Sequence, residues 1–266
     1  MPRFEPHPVV RPAIVTGASS GIGAATAVAL AELGHPVALG ARRVPTCEAL
    51  AARIRDKGGV AFAHRLDVTD DDSVEEFVTA AEKELGDIEI LVSAAGVVRF
   101  GAAHEMSSPD FVRQLDLHLA GPHRMVRRLV PGMVERQRGD VVLIGSDCAL
   151  SPRPRMGAYN AAKSGLEALS VQMRQELEGT GVRVSMVRPG PTQTEMGTDA
   201  TVEDVGPLLE DWSRWGFARH PYMLRASDMA AAVSAVVSTP RGAHIIISEV
   251  QPEAPLRHPK PAPTQQ

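Results

Sequence analysis

The sequence predicts one α/β domain built on a mostly parallel sheet of about seven strands, with helices on both faces. Three observations predict it. Short apolar runs alternate with amphipathic stretches through most of the 266 residues, the pattern of strands buried on both faces and joined by helical crossovers. The chain is 44% apolar and 23% charged, close to the globular averages of about 45–50% and about 25%, which excludes disorder as the dominant state. No internal repeat and no linker interrupts the stretch from Arg11 to Val250, so a length open to one large domain or two small ones is read as one.

Each element follows from its local pattern. Ala13–Thr16 is apolar, runs straight into a glycine-rich turn and reads as the first strand. Ile22, Ala25, Ala29 and Leu33 recur at helical spacing, and Gly34 closes that helix. Residues 37–40 form a second strand, residues 47–57 a helix stopped by Gly58 and Gly59, and residues 60–66 a third strand. Thr69, three residues before Asp72, starts a helix through Val74, Phe77, Val78, Ala81 and Leu85. Residues 88–92 form the fourth strand, and a long helical stretch at 109–136 carries Gly121-Pro122 inside it. Residues 141–144 form the fifth strand. Ala158, Ala162, Leu166, Leu169, Met173 and Leu177 mark a long helix. Residues 182–187 form a sixth strand, and a helix at 227–237 and a strand at 244–247 complete the core. Residues 1–11 read as a flexible arm, 12–250 as the domain, and 251–266 as a Pro-rich tail.

Composition excludes several functions. A charge of −4, from 28 Lys and Arg against 32 Asp and Glu, argues against nucleic-acid binding, which needs a basic balance or stripe. No run of about 18 apolar residues is present, so no membrane span is expected. The first residues hold neither an apolar stretch nor a cleavage pattern and do not read as a signal peptide. Two cysteines, Cys47 and Cys148, make no disulfide framework, which points to a reduced, cytoplasmic setting. The nine histidines show no metal-ligand spacing, and no metal is expected.

Chemistry concentrates at two motifs. Residues 13–23 read Ala-Ile-Val-Thr-Gly-Ala-Ser-Ser-Gly-Ile-Gly, a strand, a turn with Gly17, Gly21 and Gly23, then a helix N-terminus. Such a turn lets phosphate approach the backbone, and the helix dipole favours negative charge there. The spacing is T-G-x-x-x-G-x-G rather than the standard dinucleotide fingerprint. Ser19, Ser20 and Ile22 lie within the turn. The second strand ends Gly40-Ala41-Arg42-Arg43. An acidic residue at such a strand end would bind a ribose 2′-hydroxyl, whereas arginine suits a 2′-phosphate. NADP(H) is therefore favoured, NAD(H) stays open, and Arg42 and Arg43 as merely solvated charges are the alternative.

The second motif is Tyr159-Asn-Ala-Ala-Lys163, which sets Tyr and Lys on one helix face, with Ser146 upstream at a strand's carboxyl end, where such sheets bind ligands. A free phenol titrates near ~10, and lowering it by ~3 units takes ~4 kcal/mol. One ammonium at ~5 Å in an effective dielectric of ~20 supplies ~3 kcal/mol, so Lys163 is expected to supply most of that shift. Ser146 would then hold a carbonyl or alcohol oxygen while Tyr159 moves the proton.

With these residues in place, a family resemblance follows. The Thr16 to Gly23 turn, Leu66-Asp67-Val68, Ser146, Tyr159-x-x-x-Lys163 and Pro189-Gly190 resemble the classical short-chain dehydrogenase/reductase family, in its order and spacing, from about Pro12 to Val250. The resemblance implies a doubly wound Rossmann fold and NAD(P)-dependent interconversion of a carbonyl and an alcohol. It implies that Ser146, Tyr159 and Lys163 are catalytic, with Lys163 also on the nicotinamide ribose. Asp67 and Val68 would flank the adenine, and Pro189, Gly190, Thr192 and Thr194 would line the nicotinamide side. A homotetramer or homodimer packed through the two long helices is implied as well.

Two departures stand out. The family often has Asn-Asn-Ala-Gly where this chain has Ser93-Ala94-Ala95-Gly96, so small residues still admit a cofactor but a strand-tying amide is missing. His118 stands where the family places a fourth catalytic residue, an asparagine whose carbonyl holds a relay water. Pro122 has no N–H to give the His118 carbonyl and crowds it, so a helix kinked at Pro122 would leave that carbonyl for water. The imidazole could relay protons itself or merely fill space.

The substrate end is expected at about 192–224, where Trp212, Trp215, Phe217 and Tyr222 place four of the ten aromatics. With Met196, Leu208, Leu209, Met223 and Leu224 they suit a small apolar or aromatic carbonyl or alcohol, or else pack against the protein itself. Arg153 and Arg155 read as exposed charges, with a substrate carboxylate as the other option, and Cys148 as a small residue lining the site. The rival to an enzyme is a catalytically weak NADP(H)-binding sensor or interaction protein on the same fold.

Overall fold

A computed structural model describes residues 5–195, 202–217 and 220–256. Met196 and the rest of 196–201, residues 218–219, the first four residues of the arm and 257–266 of the tail lie outside the described residues. Seven parallel strands form the central sheet: β1 (Ala13–Thr16), β2 (Val37–Ala41), β3 (Ala61–Arg65), β4 (Ile90–Ser93), β5 (Gly139–Ile144), β6 (Val182–Pro189) and β9 (Ile247–Val250), with β7 and β8 set apart. Their order is β3-β2-β1-β4-β5-β6-β9. The order reverses between β1 and β4, and ligands bind at the strands' carboxyl ends beside such a switch. The separate pair is β7 (Thr192–Gln193) with β8 (Leu224–Arg225).

The pleat divides the core in two. Ala13 and Val15 of β1 face the side covered by α1 (Gly21–Glu32), α2 (Val44–Asp56) and α8 (Ala226–Val237), where Leu30, Ile54, Met229 and Val233 are buried. Ile14 faces the other side, with α3 (Asp71–Leu85), α5 (Gly121–Glu135) and α6 (Gly157–Glu176), where Phe77, Met125, Leu129 and Leu166 are buried. Alternate residues serving opposite cores is the strand period of two applied to a sheet covered on both faces.

Several sequence expectations change. Asp70, not Thr69, caps α3, its carboxylate accepting from the N–H groups of Asp72 and Ser73, while Thr69 bonds Asp67 through its N–H and hydroxyl. The last strand is Ile247–Val250 rather than 244–247, because it pairs with β6 from Met186 to Pro189. The stretch at 109–136 is not one kinked helix. α4 (Ser108–Leu115) passes through a π-helical turn at Asp116–Ala120 into α5. The Gly121 N–H bonds the Asp116 carbonyl five residues back, so a widened turn next to Pro122 replaces the kink.

The amino ends of the strands hold a buried ionic cluster. Arg11, the last residue of the expected arm, is 2% exposed and is anchored instead of flexible: it donates to Asp140 at 2.5 Å and to the Val237 carbonyl. Arg183 grips the same carboxylate at 2.6 and 2.8 Å and gives further hydrogen bonds to the carbonyls of Thr239 and Ala243. Among the described residues, no helix is long and apolar enough to cross a membrane.

Candidate active site

One continuous cleft of about 690 Å³ runs along the carboxyl ends of the strands, from the glycine turn past Ser146, Tyr159 and Lys163 to Leu208 and Trp212. Backbone packing forces the glycine turn. Gly17 has φ +68°, and a Cβ there would lie 2.7 Å from the Ala95 Cα. At Gly23 a Cβ would lie 2.4 Å from the Gly17 carbonyl oxygen. The start of α1 carries no side-chain cap and no acidic residue in its first turn, leaving helix N–H groups for an anion. Ser19, Ser20, Gly21 and Ile22 line the same wall.

The loop after β4 is held from β1. The Thr16 hydroxyl accepts from the N–H groups of Ala94 at 3.0 Å and Ala95 at 3.1 Å, tying the end of β1 to the loop after β4 through Ala94, Ala95 and Gly96. Gly121 explains the neighbouring wall: a Cβ there would lie 2.8 Å from the Val68 side chain.

The two arginines after β2 separate. Arg42 is exposed and has no hydrogen-bonded partner among the described residues. Arg43 reaches Ser19 at 3.1 Å, Ser20 at 2.8 Å and Glu195 at 2.9 Å, so it is not a free solvated charge. Asp67 is engaged by Thr69, and although burial pushes its carboxyl up, those hydrogen bonds and the nearby Arg42 and Arg65 hold it below the usual range. Thr192 gives its hydroxyl hydrogen to the Gly190 carbonyl at 2.8 Å, and Thr194 lies against Gly21. Pro189 and Gly190 are buried beneath them.

The catalytic candidates converge. Ser146 opens a short 3-10 turn at Asp147–Ala149, its Oγ accepting from the Cys148 N–H at 3.2 Å. Tyr159 is in the first turn of α6, and the Lys163 Nζ lies 5.6 Å from its ring centroid. His118, in the π turn, meets the Tyr159 ring edge-on, with centroids 5.0 Å apart. Its Nε2 is 2.6 Å from the Val97 carbonyl oxygen, so Nε2 carries the hydrogen, and its buried Nδ1 has no partner among the described residues.

The electrostatics differ from the sequence expectation. Burial pushes the Tyr159 phenol above its ordinary value, aided by Cys148 and Asp147 and opposed by hydrogen bonding to Ser146 and by Arg153. Lys163, expected to lower it, is not among the main influences. The ammonium donates to the Ile144 carbonyl at 2.7 Å and lies over the ring, and burial lowers its own pKa to about 8. Burial, then the charge of Lys163, lowers His118 to about 3, so its imidazole is neutral.

At the substrate end Val98, Cys148, Met156 and Leu208 pack around Tyr159, with Phe100 and Trp212 against them. Of the four aromatics expected at the substrate end only Trp212 lines the cleft; Trp215 and Tyr222 are 63% and 55% exposed. Arg153 and Arg155 are paired, not exposed charges. Arg153 holds Asp147 with both terminal nitrogens, and Arg155 bonds Asp211 at 2.8 Å. Burial pushes the Cys148 thiol up, consistent with a small residue lining the site. Sequence reasoning missed Asp147, Glu195 and Gln251. Asp147 directly follows Ser146, which was its available signal; Glu195 and Gln251 have none.

Comparison with known proteins gives consistent results. A family model described as short chain dehydrogenase matches residues 11–204. The chain is 37% identical over 241 residues to the glycine betaine reductase of Emericella nidulans, covering 90% of this chain but only 18% of that protein. It is 35% identical over 238 residues to the D-threitol dehydrogenase of Mycolicibacterium smegmatis, covering 88% of this chain and 90% of that one. Among solved structures, an alcohol dehydrogenase of the archaeon Thermococcus sibiricus complexed with 5-hydroxy-NADP superposes with a TM-score of 0.78 at 27% identity, covering 94% and 99% of the two chains. A closed serine dehydrogenase complexed with NADP+ gives 0.80 at 28% identity, with the same coverage.

Proposed function

The chain belongs to the short-chain dehydrogenase family, and on that premise we propose that it is an NADP(H)-dependent oxidoreductase interconverting a carbonyl and a secondary alcohol on a small, apolar or aromatic substrate. The convergence of Ser146, Tyr159 and Lys163 at one end of the cleft that begins at the glycine turn carries this reading.

The residues present fit a phosphorylated dinucleotide. The uncapped start of α1 and the glycine turn would hold the pyrophosphate. Arg42, without a hydrogen-bonded partner among the described residues, would take the 2′-phosphate. Asp67 and Val68 would border the adenine, and Ala94, Ala95, Gly96, Pro189, Gly190, Thr192 and Thr194 the ribose and nicotinamide. When bound, the nicotinamide supplies hydride chemistry and, oxidised, positive charge.

The chain's own groups move and place the proton. Ser146 Oγ orients the substrate oxygen, and Tyr159 Oη passes its proton to or from that oxygen. Burial holds the phenol in its protonated form, the form that gives a proton to a carbonyl oxygen. Lys163 contributes positive charge beneath the phenol ring and binds ribose. The His118 carbonyl, opposite the N–H that Pro122 lacks, holds a relay water, while the neutral imidazole braces Val97. The same reading makes the protein a cytoplasmic homotetramer or homodimer packed through α4, α5 and α6.

The test is NADPH turnover on a panel of aliphatic, aromatic, quinone and steroid ketones, run beside Tyr159→Phe. Turnover that disappears in the variant is expected. NADPH binding without turnover on any carbonyl would turn the reading to a nucleotide sensor, and absence of NADPH binding would overturn the cofactor assignment.

A further inference from the structure

We propose that Arg153 is a positioning residue for the catalytic hydroxyls: by taking both carboxylate oxygens of Asp147 it keeps that carboxylate from capturing the Ser146 hydroxyl beside Tyr159, and it ties that state to the Trp212 wall of the substrate pocket. The proposal rests on the reading of Ser146 and Tyr159 given above.

The problem Arg153 solves is created by the chain itself. Asp147 directly follows Ser146 and is 8% exposed. A carboxylate only accepts hydrogen bonds. Left unpaired it would draw the Ser146 hydroxyl hydrogen, which is the one Ser146 must offer to a substrate oxygen. Its charge would also oppose ionisation of Tyr159.

The geometry removes both effects. Arg153 donates to Asp147 Oδ1 at 2.9 Å and to Oδ2 at 2.6 Å, the planar bidentate arrangement that only a guanidinium makes. Gln251 adds a third bond to Oδ2 at 3.3 Å. Ser146 Oγ then stands 3.5 Å from Oδ1, beyond the range of about 2.5–3.0 Å for a hydroxyl donor. The ion pair is nearly dry, with the two side chains 11% and 12% exposed, so solvent does little to screen it.

Arg153 also spans the pocket. Its guanidinium lies 5.4 Å from the Trp212 ring centroid and reaches Cys148 Sγ at 2.8 Å, while Trp212 Nε1 donates to the Pro154 carbonyl at 3.2 Å. One cation therefore joins the turn that carries Ser146 to the aromatic wall where a substrate would lie.

The charged and titratable groups facing Tyr159 are few. Lys163 comes from α6, neutral His118 from the π turn, Cys148 and Asp147 from the turn after Ser146, and Arg153 from the loop before α6. Removing Arg153 alone takes from Asp147 its direct ion-pair partner and leaves Lys163 as the cation of this set.

The test uses the full chain with NADP and the best alcohol or ketone from the panel. Arg153→Met is expected to lower kcat about 10- to 100-fold and to move the ionisation governing alcohol oxidation up by about one pH unit. Asp147→Asn added to the same chain should bring both back to within about threefold and half a unit of the unsubstituted protein. Asp147→Asn alone, which leaves Arg153 unopposed, should move the ionisation the other way. A second readout needs no turnover. With tyrosine labelled by ¹³C at Cζ there are only two signals, from Tyr159 and exposed Tyr222. The Tyr159 signal should shift in Arg153→Met and return in the double variant. Equal impairment of the single and double variants with an unmoved pH profile, or an unmoved Tyr159 signal, overturns the proposal and leaves Arg153 a packing residue. Absence of turnover in the unsubstituted protein instead strikes the functional reading, and the Tyr159 signal still decides the role of Arg153.

Discussion

The two ends of the central sheet treat buried polar groups in opposite ways. At the amino ends Asp140 receives three hydrogen bonds from two arginines that also bond main-chain carbonyls, and this cluster locks the first strand to β5, β6 and the end of α8. At the carboxyl ends, among the described residues, Lys163 has one hydrogen bond, to Ile144, Ser146 bonds the Cys148 N–H and the Tyr159 hydroxyl, and the His118 Nδ1 has no partner. A buried polar group without its full set of partners costs stability. Unpartnered buried atoms occur among the described residues at the amino end as well, at Glu89 Oε2 and His7 Nε2, but there the buried charges of Asp140, Arg11 and Arg183 are paired with one another. The difference separates residues that hold the fold from residues that use it, although both sets are equally buried.

The sharpest way to test that separation is Tyr159→Phe. The substitution removes one hydroxyl from the carboxyl end and keeps the ring that packs with Met156 and Leu208. Turnover should fall by on the order of 10⁴-fold, about 5.5 kcal/mol of barrier, at the upper range for a general acid. Stability to urea should change by less than about 1 kcal/mol. A variant that unfolds instead would mean Tyr159 belongs to the structural set.

The mirror experiment is Asp140→Asn. Removing the carboxylate strands Arg11 and Arg183 in a site where Arg11 is 2% exposed. Urea unfolding should show a loss of about 3–5 kcal/mol, with NADPH affinity of the folded protein unchanged. The pH dependence has a definite sign. Burial alone would raise the Asp140 carboxyl, but the hydrogen bonds and charges of Arg183 and Arg11 hold it low. Its contribution is present above the unfolded value of about 3.9 and is lost as pH falls through the lower folded value. Asp140→Asn should flatten that acid limb.

The same contrast explains what the sequence disclosed. Parallel strands buried on both faces must be apolar throughout, so β1, β2, β4, β5 and β6 were legible as runs. β9 was not, because it pairs with β6 alone, and the neighbouring Ile245-Ile246-Ile247 is more apolar than the segment that forms the strand. Ser146, Tyr159 and Lys163 were legible because their spacing is fixed by one strand end and one helix face. Arg153 was misread because its partner Asp147 lies in irregular backbone, where no periodicity shows which side chains meet. Pro122 signalled a disturbed helix, but only the packing of Gly121 on Val68 and of His118 under Tyr159 turns the disturbance into a π turn.

A smaller effect separates the two arginines within the carboxyl end. Arg42→Ala should weaken NADPH about 10- to 100-fold, the value of one or two charge-assisted hydrogen bonds, and NADH by less than about threefold. Titration of each nucleotide against tryptophan fluorescence measures both. Equal losses would show that the 2′-phosphate is held elsewhere, and Arg43, already bonded to Ser19, Ser20 and Glu195, would be the next residue to change.

The finest probe is His118, the fully buried imidazole of the carboxyl end. Burial and then Lys163 lower its pKa to about 3, against about 6.5 unfolded. The unfolded chain therefore takes up a proton that the folded chain refuses, and stability present above pH 6.5 drains away as pH falls towards 3. At pH 5.5 the loss is about 1.4 kcal/mol. His118→Asn has no imidazole to protonate, so between pH 7.5 and 5.5 it should lose about that much less than the unsubstituted protein in urea unfolding. Its kcat and pH–rate profile should stay as they are, because an imidazole that stays neutral and bonds Val97 does not carry the relayed proton. His7, with its pKa lowered to about 4, and His35 act in the same direction from the amino end, where Arg11 crowds both. If His118→Asn and the unsubstituted protein lose stability equally, the proton sensitivity belongs to those two and to His244, which burial and Arg183 also hold low, and the amino end of the sheet, not the reactive one, limits the protein in acid.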